Sequence, residues 1–295
     1  MINHSNISII LPCHNEAENL SDFLPILCST FSNAEIIVVD DASTDSSYEI
    51  ANNFPVKIVR HPRNLGNGAS IKTGARAASN EYLVFMDSDG QHNPKDIPLL
   101  LEKLEQGFDM VVGARTSKSH SSLFRLAANT FYNKLASFMT GFTIEDLTSG
   151  FRAVSTHKFR QFLYLLPNGF SYPTTSTMAF FRSGYPVAYI PINASTRKGK
   201  SKIRLLKDGA RFFIIILKVG ALFSPMRFFL PISLAFFTLA STYYIYTYST
   251  TGRFTNMSAL LYITSIITFM IGIVSEQISS LHYRFSENNA RNNDD

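Results

Sequence analysis

The sequence predicts an α/β protein. A Rossmann-like domain with a mostly parallel sheet comes first, then a basic amphipathic interface helix and two transmembrane helices. Three observations predict it. Over the first 115 residues, apolar β-branched runs alternate with segments of helical spacing, the βαβα pattern of a parallel sheet covered on both faces. Polar clusters recur where those strands should end. A short basic block then precedes two long stretches nearly free of charge.

The elements follow in order. Ile7–Leu11 is apolar and β-branched and reads as the first strand. Residues 17–31 read as a helix, Glu35–Asp40 (EIIVVD) as a strand, 45–53 as a short helix and Val56–His61 as a strand. Gly68–Ser79 carries apolar or small residues at 71, 75 and 78, a helical spacing. Tyr82–Asp87 is a strand, Lys95–Gln106 a helix and Met110–Gly113 a strand. Beyond residue 116 the alternation loosens. Ser122–Thr140 reads as a helix, Asp146–Ser155 contains a strand, 157–166 is a helix and Tyr185–Thr196 is extended.

The formal charge of +5 is local. Residues 1–196 carry 15 Lys+Arg and 17 Asp+Glu, whereas residues 197–227 carry nine basic residues against Asp208 alone. A basic block beside an apolar block points to a membrane surface rather than to nucleic acid. Residues 203–223 place Arg204, Lys207, Arg211 and Lys218 among Leu205, Phe212, Phe213, Ile216 and Leu217, a basic amphipathic helix suited to the headgroup region. Met226–Tyr248 holds one charge, Arg227, and its length of about 34 Å suffices for a hydrocarbon core. Tyr243, Tyr244, Tyr246 and Tyr248 crowd its far end as an aromatic belt would, and Asn256–Ser275 is a second uncharged stretch. The excess of basic residues before the spans puts residues 1–225 and the tail on the cytoplasmic face of the inner or plasma membrane. The expected division is a catalytic-type domain over 1–200, a juxtamembrane helix over 201–225, a hairpin over 226–280 and a polar tail over 281–295. Cys13 and Cys28 make neither a disulfide framework nor a zinc site, and the N-terminus lacks the basic start of a signal peptide.

Four polar clusters fall at the predicted strand ends: His14-Asn15-Glu16, Asp40-Asp41, Asn64 with Gly66 and Gly68, and Asp87-Ser88-Asp89. Open α/β sheets bind ligands in the crevice outside those ends. Asp87 and Asp89 are i and i+2 of an extended segment and project to one side. Two hard oxygen donors there suit Mg²⁺ or Mn²⁺, with Gln91 as a third and a substrate diphosphate completing the shell. A carboxylate at 40–41 or at Glu16 can accept from a nucleobase N–H or a ribose hydroxyl. Asp45 reads as a helix cap. The stretch NLGNGASIKTG fits neither common phosphate-loop pattern; its glycines allow close backbone approach, with Asn64 or Lys72 as donor contacts. His14 and His92 are placed to line the cleft, whereas His61, His120, His157 and His282 read as surface or loop residues.

The stretches IILPCHNEAENL, IIVVDDASTDSS, RNLGNGASIKTGARAA and MDSDGQHNP, followed by VVGAR, DLTSGFRAV and RKGKSKI, resemble the family 2 inverting glycosyltransferases of the GT-A fold. Within that group they are most similar to polyprenyl-phosphate glycosyltransferases. The resemblance covers residues 7–205 and implies roles residue by residue. Glu16 and Asp41 would contact the nucleoside of the sugar nucleotide, with Pro12 and Asn15 as further substrate-binding residues. Asp87, Asp89 and Gln91 would hold the metal, and Asn64 and Lys72 would meet the donor. Arg115, Arg125 and Asn129 would meet an acceptor phosphate, and Arg197 and Lys202 would reach the diphosphate or the acceptor phosphate; Arg152 is a further cation that suits an anionic acceptor. Asp146 falls at a candidate base. Two departures stand out. Related mannose synthases carry an acid where this chain has Ser171 and the run Thr174 to Thr177, and the absence of Trp removes the Q-x-x-R-W of processive synthases.

Chemistry separates the alternatives. A sugar or lipid hydroxyl needs a base to take its proton. A polyprenyl phosphate is already ionised near neutral pH and needs cations to orient it. The expected activity is transfer from a UDP- or GDP-sugar to a polyprenyl phosphate. The competing readings are the same chemistry on a glycolipid hydroxyl, or a non-catalytic sugar-nucleotide-binding assembly subunit. A homo-oligomer is compatible with the hairpin and is not specified by the sequence.

Overall fold

The computed structural model describes residues 2–115, 123–169, 171–193, 213–214, 216–218, 220–221 and 224–291; for 123–126 and 282–291 it describes the backbone. The chain divides into two compact units, Met1–Lys134 with Thr143–Ile215, and Leu135–Phe142 with Ile216–Asp295.

The first unit is built on a seven-stranded sheet in the order β3-β2-β1-β4-β6-β5-β7. Its strands are β1 (Ile7–Cys13), β2 (Glu35–Asp40), β3 (Lys57–Arg60), β4 (Tyr82–Phe85), β5 (Met110–Arg115), β6 (Arg152–Ser155) and β7 (Val187–Ile192). Strands β1 to β4 pair in parallel, as do β5 and β7, while β6 runs antiparallel between β4 and β5. The apolar runs of β1, β2 and β4 are buried because helices cover both faces, which is why they read as continuous rather than alternating. The helices are α1 (Ala17–Thr30), α2 (Ser47–Asn52), α3 (Asn67–Ala77), α4 (Ile97–Glu105), α5 (Leu123–Thr140), α6 (Thr156–Arg160) and α7 (Tyr172–Arg182). Helix α7 is absent from the sequence expectation. Its run of Ser and Thr is a poor helix signal, yet the helix is buried along Tyr172 to Phe181, so packing overrides propensity.

Among the described residues three non-glycines have positive φ: Asn15 (57°), Ala42 (56°) and Ser171 (88°). Asn15 and Ala42 follow β1 and β2, where the chain leaves the sheet and the polar clusters begin. Such backbone costs of order 1–3 kcal/mol per residue and gathers at functional sites.

The second unit is an antiparallel hairpin of α8 (Pro225–Thr251) and α9 (Asn256–Arg291), packed with the last turns of α5. Its buried positions recur every seven residues: Ser233, Ala240 and Thr247 on α8, and Ser258, Ser265, Gly272 and Ser279 on α9. Small residues let helix backbones approach where lipid offers no hydrophobic drive. Ser233 and Ser265 exchange bonds, each Oγ donating to the other's carbonyl at 3.0 and 2.9 Å. A Cβ on Gly272 would stand 2.8 Å from Phe229 Cβ. Only 11% and 17% of the most apolar windows are buried, unlike the core helices of a soluble protein. Both helices are long and apolar enough to cross a membrane. Helix α9 continues through the expected polar tail to Arg291, since no Gly or Pro falls between residues 281 and 291. The amphipathic helix expected over 203–223 lies largely outside the described residues. Replacing Ser265 with Ala is expected to cost only about 0.6 kcal/mol, whereas Ser265→Leu is expected to separate the helices; melting in detergent distinguishes the two.

Candidate active site

The carboxyl ends of β1, β2, β4 and β5 bring four segments to one edge of the sheet: Cys13 to Glu16, Asp40 to Ser43, Asp87 to Gln91, and Arg115. Pro12 is half-buried at the end of β1, and its carbonyl accepts from Ser88 Oγ at 2.8 Å, joining the β1 and β4 ends. Asn15 Oδ1 accepts from Thr44 N at 2.8 Å, joining the β1 and β2 ends. Glu16 stands at the N-cap of α1 without a side-chain capping bond, and Oε2 accepts from Asn19 Nδ2 at 2.6 Å. Asp45 caps as expected: Oδ1 accepts from Ser47 N at 3.0 Å and Oδ2 from Ala17 N at 3.1 Å.

Asp40 and Asp41 are buried, Asp40 in an ion pair and Asp41 in a cluster of hydrogen bonds. Asp40 Oδ2 lies 3.0 Å from Arg60 Nε. Asp41 Oδ1 accepts from His61 Nδ1 at 2.8 Å and Leu65 N at 2.7 Å, and Oδ2 accepts from Gly66 N at 2.8 Å. Burial alone would raise the pKa of Asp41; these donors prevail and hold it below the usual carboxylate range. With the proton on Nδ1 facing the carboxylate, His61 Nε2 accepts from Thr73 Oγ1 at 2.9 Å. His61 is therefore a buried linchpin rather than the surface residue expected. A polar residue one step beyond a strand carries no sequence mark of its facing.

The glycine-rich stretch docks against chain at the start of α3. Gly68 N donates to Gly169 O at 3.1 Å and Ala69 N to Asn168 O at 2.9 Å. A Cβ on Gly66 would stand 2.6 Å from Asn168 O, and one on Gly68 only 2.0 Å from Pro167 O. Lys72 Nζ donates to Leu166 O at 3.1 Å and to Asn168 Oδ1. The close approach expected of the glycines is present, but its object is the 166–169 strap. Lys72, expected as a donor contact, secures that strap in this structure. Asn64 is exposed in the preceding loop.

Strand β4 ends at Phe85, so Asp87 and Asp89 lie in the following turn rather than on the strand. The buried Ser88 between them points to Pro12, and Asp87 and Asp89 are both half-exposed. Asp89 Oδ1 accepts from Gln91 N at 3.2 Å. Among the described residues no three His, Cys, Asp or Glu side chains group as a full cage. Two carboxylates with an amide oxygen nearby fit a hard cation that takes its remaining oxygens from substrate and water. His92, next in line, is buried, and burial pulls its pKa down to about 4.

Arg115 and Asp146 form a fork at the end of β5. Arg115 Nε donates to Asp146 Oδ2 at 2.8 Å and Nη2 to Oδ1 at 3.0 Å. Arg115 N, Thr148 N, Thr148 Oγ1 and Ser149 N add four more bonds to the same carboxylate at 3.0 to 3.2 Å. Burial works to raise the pKa of Asp146, but Arg115 overcomes it and holds it below the ordinary range. Six donors exceed the four or so lone-pair sites of a carboxylate, so Asp146, which the resemblance offers as a candidate base, is fully engaged in this structure. Asn133 on α5, which sequence reasoning missed, secures this loop: Oδ1 accepts from Leu147 N at 3.1 Å and Nδ2 donates to Glu145 O at 2.5 Å. Its signal was the four-residue spacing of Arg125, Asn129 and Asn133 on one helix face. Asn129 is half-buried there; for Arg125 the backbone alone is described.

Arg152 is not brought to this cleft. It is 0% exposed on β6; Nη1 donates to Pro173 O, Ser176 Oγ and Thr177 Oγ1 at 3.1, 2.9 and 3.1 Å, and Nη2 to Ser149 O at 2.5 Å. Two hydroxyls of the Ser/Thr run thus serve a buried guanidinium and tie α7 to the sheet. Arg197 and Lys202 lie outside the described residues.

Residues 8–163 match glycosyl transferase family 2. The chain belongs to that family. Residues 224–281 match the GtrB C-terminal hairpin. The family 2 chain is 34% identical over 137 residues to a dolichol-phosphate mannosyltransferase of Pyrococcus furiosus, covering 44% of this chain and 38% of that one. It is 34% identical over 158 residues to an undecaprenyl-phosphate 4-deoxy-4-formamido-L-arabinose transferase of Salmonella choleraesuis, covering 50% and 48%. The chain thus spans less than half the length of these two curated relatives. The fold is that of glucosyl-3-phosphoglycerate synthase from Mycobacterium tuberculosis. The structure with phosphoglyceric acid has a TM-score of 0.61 at 19% identity, covering 73% of this chain and 80% of that one. The structure with Mn²⁺, UDP and phosphoglyceric acid has a TM-score of 0.60 at 20% identity, covering 73% and 78%.

Proposed function

We propose that this family 2 protein is a membrane-anchored inverting glycosyltransferase that moves a sugar from a UDP- or GDP-sugar to a polyprenyl phosphate, with its catalytic domain on the cytoplasmic face. The observation that carries the choice of acceptor is the saturated carboxylate of Asp146. The carboxylate that the family resemblance offers as a base cannot accept a proton in this state, and an ionised phosphate acceptor needs none. The relatives named for dolichol phosphate and undecaprenyl phosphate support the same reading, as do two helices long enough to span a bilayer.

On this reading the residues divide the work. Asp41 and Glu16 face the nucleoside, and the strap held by Gly66, Gly68 and Lys72 closes that side of the site. Asp87, Asp89 and Gln91 would hold Mg²⁺ or Mn²⁺ on the donor diphosphate. When bound, the cation supplies Lewis-acid stabilisation of charge on the departing diphosphate oxygens. Arg115 is engaged with Asp146 through Nε and Nη2, an edge that leaves Nη1 outside that fork and able to meet an acceptor phosphate. Arg125, Asn129, Arg197 and Lys202 complete the acceptor side. Attack by a phosphate oxygen from the face opposite the leaving group inverts the anomeric centre.

The test is transfer of radiolabelled UDP- and GDP-sugars by membranes containing the full chain, with undecaprenyl or dolichyl phosphate added. We expect a lipid product whose label is released by mild acid, lost when EDTA removes divalent metal. Label confined to an acid-stable glycolipid would instead support a hydroxyl acceptor, and no transfer from any donor would sink the catalytic reading.

A further inference from the structure

His92 directly follows Asp87-Ser88-Asp89-Gly90-Gln91, yet its side chain turns inward and the residue is 7% exposed. Its ring stacks on Phe151, with centroids 5.0 Å apart and planes 13° from parallel. Nε2 stands 3.9 Å from Asp87 Oδ2. On another side of that oxygen the Gly150 backbone is so near that a Cβ there would come within 2.7 Å. Phe151 is itself fixed, since its carbonyl accepts from Gly113 N at 2.9 Å and a Cβ on Gly113 would meet its ring at 2.7 Å. The carboxylate of Asp87 therefore rests between a backbone wall and an imidazole wall, and both walls are braced against β5.

Packing does not explain an imidazole here. Among the described residues Nδ1 is buried without a hydrogen-bond partner, and Nε2 is too far from Asp87 for a full bond. Burying such groups costs about 1–3 kcal/mol each, so Phe or Leu would fill the space at lower cost. What an imidazole adds is a ring nitrogen able to carry a proton, held on a rigid ring 3.9 Å from one oxygen of a proposed metal ligand. Carboxylates that ligate metals are themselves hydrogen-bonded, and loss of such an outer partner costs 10–100-fold in metal affinity.

We propose that His92 is a positioning residue of the metal motif, its Nε2–H directed at Asp87 Oδ2 so that the carboxylate is oriented to receive a divalent cation. The inference rests on the assignment of Asp87 as a metal ligand. The test is Mn²⁺ binding to the detergent-solubilised full chain, followed by electron paramagnetic resonance with and without UDP, together with thermal melting. His92→Phe keeps the stack and removes the N–H; we expect its Mn²⁺ dissociation constant to rise about 10- to 100-fold with no loss of melting temperature. His92→Gln, whose amide N–H reaches the Nε2 position, is expected to regain most of the affinity. Should His92→Phe fold poorly, His92→Leu serves as a second variant without the donor. Wild-type affinity in a folded donor-less variant, or Gln failing to restore binding, overturns the positioning role. Absence of Mn²⁺ binding by the wild type, with UDP present, overturns the metal assignment itself and the inference with it.

Discussion

Asp146→Asn is expected to lower both stability and acceptor use, and to leave the shape of the pH–rate profile unchanged. The amide keeps one oxygen but turns an NH₂ toward donors, and it leaves the Arg115 guanidinium without its counter-charge. Removing one partner of a buried pair costs about 3–5 kcal/mol. The Arg115 side chain is 27% exposed and that of Asp146 8%, so water screens part of the loss and the low end applies. About 3 kcal/mol in a domain of this size corresponds to roughly 6–12 °C in melting temperature. The sign of the pH dependence follows from the lowered pKa of Asp146. Its contribution is fully present above the ordinary aspartate range and is lost as pH falls through the folded-state value. The gap between variant and wild type should therefore close only in strong acid. Kinetically, a misoriented Arg115 should raise KM for polyprenyl phosphate more than it lowers kcat. A base at this position predicts the reverse pattern: near-wild-type melting, a collapsed kcat and a vanished acid limb. Stopped assays across pH, run beside thermal melts of the same preparations, separate the two.

The fold was legible because its signals are local. EIIVVD and YLVFMD read as strands, and they are β2 and β4, since a parallel sheet covered on both faces needs continuous apolar runs. The alternation of strands and helices then sets the acidic clusters on one edge of the sheet without further information. What could not be read is what depends on facing and on distant partners. Arg152 and Arg115 look alike in sequence. One points into the protein beneath α7 while the other lies at a strand end, and nothing within five residues distinguishes them. His61 and His92 were similarly opaque, since each owes its role to a residue from another segment, Asp41 and Phe151 respectively. Asp146 was identified by motif but its engagement was not, because its six donors come from folding the 145–149 loop back onto Arg115. Helix α7 was missed for a related reason: its Ser and Thr residues are poor helix formers alone, and become reasonable once a buried guanidinium needs their hydroxyls.

The glycine-rich stretch marks where legibility ends, and it yields the prediction with the largest expected effect on folding. Gly68→Ala should be among the most damaging single-methyl changes in the domain. Its Cβ would fall 2.0 Å from Pro167 O and 2.8 Å from Gly169 O, both backbone atoms that cannot rotate aside. Relief requires the start of α3 to part from the strap, breaking the bonds from Gly68 N and Ala69 N and loosening both contacts of Lys72. Losses of this kind belong to the tail above about 4 kcal/mol. We expect little folded protein in membranes, and in any surviving fraction a strap open to protease between residues 166 and 169. Gly169→Ala is the control one step along the same strap. A Cβ there meets nothing within 4 Å and its φ is not positive, so its stability should stay within a few tenths of a kcal/mol of the wild type. If both variants fold equally well, α3 and the strap do not pack as described. If only Gly68→Ala fails, the glycines serve chain docking rather than a phosphate, which moves recognition of the donor diphosphate to the carboxylate turn at Asp87 and Asp89.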